Sequence, residues 1–166
     1  MDGRKIRHSA GRRFTMTMDA ETVFIDTNIL VYATDQKSDL QTKSTEKLHQ
    51  LMTHGVECAI SPQIIREYLV VFTRGRSPDD PAKMDALGNV DAFIKSFRLL
   101  DESADTVSKL KWIVRNHAVG GKNIHDANIV AVMLTHGVKK LLTHNVDDFR
   151  RFGQKIEIMP LLEESL

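Results

Sequence analysis

Five short apolar runs, each about four residues long, constrain this chain more than any other feature. They are Thr22-Val23-Phe24-Ile25, Glu57-Cys58-Ala59-Ile60, Phe97-Arg98-Leu99-Leu100, Lys140-Leu141-Leu142-Thr143 and Ile156-Glu157-Ile158-Met159. Runs this short and this apolar suit strands buried on both faces, as a parallel sheet requires. Between them lie stretches with helical spacing at 38–54, 61–73, 80–95, 103–118 and 124–136. Ser61-Pro62 is a good helix start, because Ser caps and Pro suits the first turn. Alternation of strands and helices predicts an α/β fold with a mostly parallel sheet. The stretch 124–136 is apolar nearly all round, so it is expected to be sandwiched, inside the domain or against a second subunit.

The chain has 166 residues, enough for one domain with its own core. No apolar run reaches the roughly 18 residues a membrane helix needs, so no membrane association is expected. One cysteine, Cys58, excludes a disulfide framework and fits a reducing cytoplasm; inside a strand it reads as a small buried hydrophobe. The formal net charge of +1 hides an asymmetry. Residues 1–20 carry five basic and two acidic side chains, against 18 and 20 in the remainder. Residues 1–20 are therefore expected to be a basic, disordered extension ahead of a folded domain spanning 21–166. Met16 and Met18 offer a later start. The mildly acidic domain would repel a nucleic acid unless bound cations and local basic patches offset its charge.

In open parallel sheets, ligands bind outside the carboxyl ends of the strands. Four acidic residues map there or to adjacent helices. Asp26 ends the first run. Glu67 follows the second by about two turns. Asp126 opens the apolar helical stretch, and Asp148 follows the fourth run. Each has an ordinary explanation. Asp26 can cap a turn, Glu67 can face solvent or pair with Arg66 or Arg74, and Asn123/Asp126 and Asn145/Asp148 have capping-box spacing. Taken together they suggest more. Carboxylates in apolar surroundings, converging on one cleft, cost several kcal/mol unless a cation or a proton compensates them. Oxygen donors favour Mg²⁺ or Mn²⁺, and no HExxH or CxxC spacing supports zinc. Such a site points to phosphodiester hydrolysis or phosphoryl transfer. No GxGxxG, GxxxxGK[ST] or GxSxG motif is present. His125 and His144, which flank the acids, read as packed or surface histidines. Trp112 and Tyr68 are expected in the core.

The motifs resemble those of PIN domains. Phe24-Ile25-Asp26-Thr27-Asn28-Ile29-Leu30 is similar to their opening, and Ile60-Ser61-Pro62-Gln63-Ile64-Ile65-Arg66-Glu67 to their second motif. Asn123-Ile124-His125-Asp126-Ala127-Asn128 is similar to the third, and Thr143-His144-Asn145-Val146-Asp147-Asp148-Phe149 to the fourth. Size and order resemble the toxin subunits of VapBC toxin–antitoxin systems. The resemblance implies a three-layer α/β/α PIN-like domain over 21–166. It also implies a metal-dependent endoribonuclease using Asp26, Glu67, Asp126 and Asp148, with Mg²⁺ or Mn²⁺ held chiefly by Asp26, Asp126 and Asp148. Thr27, Asn28, Ser61, Thr143 and Asn145 would support it. The slot at Asn145 is acidic in several relatives, so either Asn145 or Asp148 fills the fourth acidic position. Expected partners are an antitoxin protein, a second copy of the chain and single-stranded or loop RNA, with phosphate met by Lys43, Arg74, Arg76 or Lys122. The rival readings are a PIN-like binding module without catalysis and an acidic-pocket phosphatase or phosphotransfer protein. The latter would want a second Asp where Asn28 stands.

Overall fold

The computed structural model describes residues 21–162. The basic segment 1–20 and its expected disorder lie outside the described residues. Five strands form one parallel sheet: β1 (Thr22–Ile25), β2 (Glu57–Ile60), β3 (Arg98–Leu99), β4 (Lys140–Thr143) and β5 (Glu157–Pro160). Their spatial order is β3-β2-β1-β4-β5. In register, Phe24 lies between Ala59 of β2 and Leu141 of β4. β1, β2 and β4 match the apolar runs residue for residue. β5 is displaced by one residue and ends on Pro160, which an edge strand tolerates because its outer N–H is unused.

The helices are α1 (Thr27–Thr34), α2 (Gln41–Thr53), α3 (Pro62–Thr73), α4 (Pro81–Ser96), α5 (Ala104–Asn116), α6 (Asn123–Thr135) and α7 (Val146–Phe149). Right-handed crossovers place α1–α4, which link β1 to β2 to β3, on one face of the sheet. They place α5 and α6, which link β3 to β4, on the other, giving three layers. α6 buries Ala127, Ile129, Val130, Ala131, Val132 and Met133 within the domain and packs against α5. The sandwich is therefore internal. Among the described residues no helix is long and apolar enough to cross a membrane.

Three expectations are corrected. Helices α1 and α7 stand where the sequence signalled none; α1 is rich in β-branched residues, which have only modest helix propensity. Trp112 is not core: it is 43% exposed, with the Lys155 ammonium 5.0 Å from its ring centre. Tyr68, by contrast, is fully buried, and its hydroxyl meets Thr34 and Asn89. Ser61 occupies the cap position of α3, but its buried hydroxyl has no partner. Glu102 takes over the cap from a distance, its Oε1 accepting the Gln63 N–H at 3.0 Å. A carboxylate there also favours the positive end of the helix dipole.

Candidate active site

Strand order reverses at β1: the chain moves outward from β1 to β2 and β3, then returns to add β4 on its other side. Ligand sites in open α/β sheets form at such a switch, outside the carboxyl ends. Asp26 and Thr143 stand on either side of it. Asp26 is 6% exposed, and its Oδ1 accepts the Thr27 N–H at 2.7 Å, capping α1. Its Oδ2 accepts from Thr143 Oγ1 and Asn28 Nδ2, both at 2.6 Å. Asn28 is oriented in turn, because its Oδ1 accepts the His144 N–H at 3.0 Å. The Asn145 N–H donates to Thr143 Oγ1 at 3.0 Å. So Asp26 does cap, and the same carboxylate is clamped across the switch point.

Glu67 turns inward. Its Oε2 accepts from Thr27 Oγ1 at 2.6 Å and its Oε1 from Gln63 Nε2 at 2.7 Å. Arg66 pairs with Glu102 instead, at 3.4 Å. Asp126 sits in the first turn of α6, where Lys122 rather than Asn123 holds the cap position, so no capping box forms. Asp148 lies in α7, and Asn145 at its cap position makes no side-chain cap bond. The spacing-based capping explanations therefore fail for both pairs.

The acids share one electrostatic environment. Burial, opposed by hydrogen bonds from Thr143, Thr27 and Asn28 and reinforced by the Glu67 charge, pushes Asp26 up to about 6. Burial first, then the charges of Asp148 and Glu67, pushes Asp126 up to about 6, against the pull of Arg151 and His125. Asp26, Glu67, Asp126 and Asp148 thus form one chain of interacting charges. Glu67→Gln is expected to lower both shifted pKa values; a carboxyl NMR titration checks this, and unchanged Asp26 and Asp126 values would show that Glu67 does not contribute.

The donor set is all oxygen, which suits a hard divalent cation. Among the described residues no three His, Cys, Asp or Glu side chains stand ready to grip one ion directly. Beside Asp148 opens a hollow of about 490 Å³, also lined by His144, Asn145 and Arg150.

Among the expected supporting residues, Thr27, Asn28 and Thr143 bond directly to the acids, and Asn145 joins through its backbone N–H. Ser61 does not join them. Arg76 pairs with Asp80 at 3.4 Å, and Lys43 lines a separate hollow with Lys47. The acidic pattern alone assigns no role to Gln63, Asn128 or Arg151. Gln63 lies four residues before Glu67, on the same helix face, which was the available signal.

The PIN domain profile matches residues 23–155. The chain belongs to the PIN domain family. No curated protein sequence matches it. Solved structures share its fold at low identity. VapBC from Salmonella typhimurium, bound to DNA, aligns with a TM-score of 0.64 and 18% identity over 86% of this chain and 99% of that one. VapBC2 from Rickettsia felis, bound to a promoter DNA fragment, gives 0.62 and 19% over 84% and 98%. VapC20 of Mycobacterium tuberculosis, a toxin that cleaves the sarcin-ricin loop, gives 0.55 and 16% over 72% and 86%.

Proposed function

We propose that this PIN domain is a metal-dependent endoribonuclease and the toxin of a toxin–antitoxin pair. One observation carries the nuclease reading: acids from four separate segments interact electrostatically, and burial with the Glu67 charge, and for Asp126 also the Asp148 charge, raises Asp26 and Asp126 to about 6. An acidic cluster of this kind needs a cation to become fully charged at low cost. Asp26, Asp126 and Asp148 would hold Mg²⁺ or Mn²⁺, in part through water. When bound, the ion neutralises charge on the phosphodiester and makes water more acidic. The protein's own part is positional. Thr143, Asn28 and the Thr27 N–H fix both oxygens of Asp26. Thr27 and Gln63 fix both oxygens of Glu67, which orients the attacking water.

The similarity to VapC20, a toxin that cleaves an RNA loop, supports RNA as substrate. Recognition would run through backbone and shape, since an unstacked strand can enter a cleft that a duplex cannot. The similarity to toxin–antitoxin complexes supports an antitoxin partner. Exposed Val70 and Val71 on α3, with Val107 and Val114 on α5, offer apolar surface to an antitoxin or to a second copy in a homodimer.

The test is cleavage of single-stranded RNA by the purified chain. Cleavage is expected to stop on chelation with EDTA and to return with Mg²⁺ or Mn²⁺. Cleavage unaffected by chelation would overturn the metal-dependent reading. No cleavage of any RNA under metal would favour a binding module.

A further inference from the structure

Gln63 lies within the second motif but carries no charge, and its side chain makes three hydrogen bonds beside the site. It lies on α3 and is 4% exposed. Its Nε2 donates to Glu67 Oε1 at 2.7 Å and to the His125 carbonyl at 2.9 Å. Its Oε1 accepts from Asn128 Nδ2 at 2.7 Å. The orientation of the amide is forced. Both partners of Nε2 only accept, and the partner of Oε1 donates, so a flipped amide would set oxygen against two acceptors.

This one side chain joins two acidic elements. Glu67 sits one turn further along α3, and His125 immediately precedes Asp126 on α6. Among the described residues, every hydrogen bond between α3 and α6 runs through Gln63. The charges of Glu67 and Asp126 oppose each other. Without a bridge, that repulsion would turn Glu67 outward, toward the exposed Arg66, or draw the first turn of α6 away. Leaving buried donors and acceptors unpaired would add to the cost.

We infer that Gln63 is a positioning residue, which holds Glu67 and the first turn of α6 at the spacing a divalent cation and an RNA phosphate require. This rests on the nuclease reading above. Gln63 acts through Glu67 and Asp126 and does not itself meet the phosphate.

The experiment is a double-mutant cycle on the full chain, read by steady-state RNA cleavage and by Mn²⁺ binding calorimetry. Gln63→Met keeps the length of the side chain and removes its hydrogen bonds. It is expected to lower kcat about 10- to 100-fold with KM for RNA little changed, and to weaken Mn²⁺ about 10-fold. In a Glu67→Gln background the same change should add less than about 3-fold, because coupled residues are not additive. Asn128→Ala, which leaves Glu67 untouched and strips the Gln63 amide oxygen of its donor, is expected to give a smaller loss of the same kind. Wild-type kcat and Mn²⁺ affinity in Gln63→Met would overturn the inference, as would full multiplication of its effect with Glu67→Gln. Should Gln63→Met fail to fold, unchanged kcat and Mn²⁺ affinity in Asn128→Ala would overturn it. The two readings fail separately. If the wild type cuts no RNA but Mn²⁺ affinity still responds to Gln63 through Glu67, the nuclease reading falls and the bridge stands.

Discussion

Asp26→Asn is expected to lower RNA cleavage about 100- to 1,000-fold, the scale of losing one preorganised electrostatic group. The fold should survive. Burial raises Asp26 from 3.8 to about 6. At about 1.4 kcal/mol per unit, its ionised form therefore costs the folded state about 3 kcal/mol above pH 6. Asn removes that cost and brings another. Its amide N–H₂ faces Asn28 Nδ2, which cannot turn away because Asn28 Oδ1 is engaged by the His144 N–H at 3.0 Å. A donor set against a donor costs about 1–3 kcal/mol. The two effects offset, so stability at pH 8 should stay within about 2 kcal/mol of wild type. Cleavage kinetics and urea unfolding on the same preparation check both halves. Wild-type cleavage by a folded Asn variant would remove Asp26 from the mechanism.

Cleavage should also fall about 100-fold between pH 7.5 and pH 5 when Mg²⁺ is subsaturating. Asp26 and Asp126 both lie near 6. One unit below that value each is about 10% ionised, so both are ionised in about 1% of molecules. Stability should run the other way. The folded chain holds these protons up to about pH 6, whereas the unfolded chain releases them near the model-compound value of 3.8. Where the folded state binds more protons, stability falls as pH rises. Their contribution is thus fully present below about pH 4, declines between about 4 and 6, and is lost above. A divalent cation that binds only the folded, ionised site should restore stability at pH 8 and do little at pH 5. Thermal unfolding at both pH values, with and without Mg²⁺, checks this together with the rate profile. Equal stabilisation by Mg²⁺ at pH 5 and pH 8 would show that the ion binds elsewhere.

Much of the fold was legible because its signals are local. β1, β2 and β4 are buried on both faces, so contiguous apolar residues mark their bounds. Ser61-Pro62 marked the start of α3 by stereochemistry alone, although Glu102 supplies the hydrogen bond that Ser61 was expected to make. α1 was hidden for the opposite reason. Its residues have modest propensity, and its start depends on the Asp26 carboxylate and on packing against α2 and α3. Trp112 was misplaced because hydrophobic character does not say whether a neighbouring element covers a side chain.

Residue order alone marks the ends of β1, β2 and β4, and with them the places where Asp26 and Asp148 enter the fold. Periodicity, turn chemistry and motif order suffice, since they involve neighbours in the chain. That β4 lies beside β1, that Glu67 turns inward and that Gln63 ties it to α6 follows from long-range packing. The contacts responsible join residues 117 positions apart at Thr143 and Asp26, 40 at Thr27 and Glu67, and 62 at Gln63 and His125. Their geometry depends on the packing of the whole sheet and both helical layers, which no local pattern encodes.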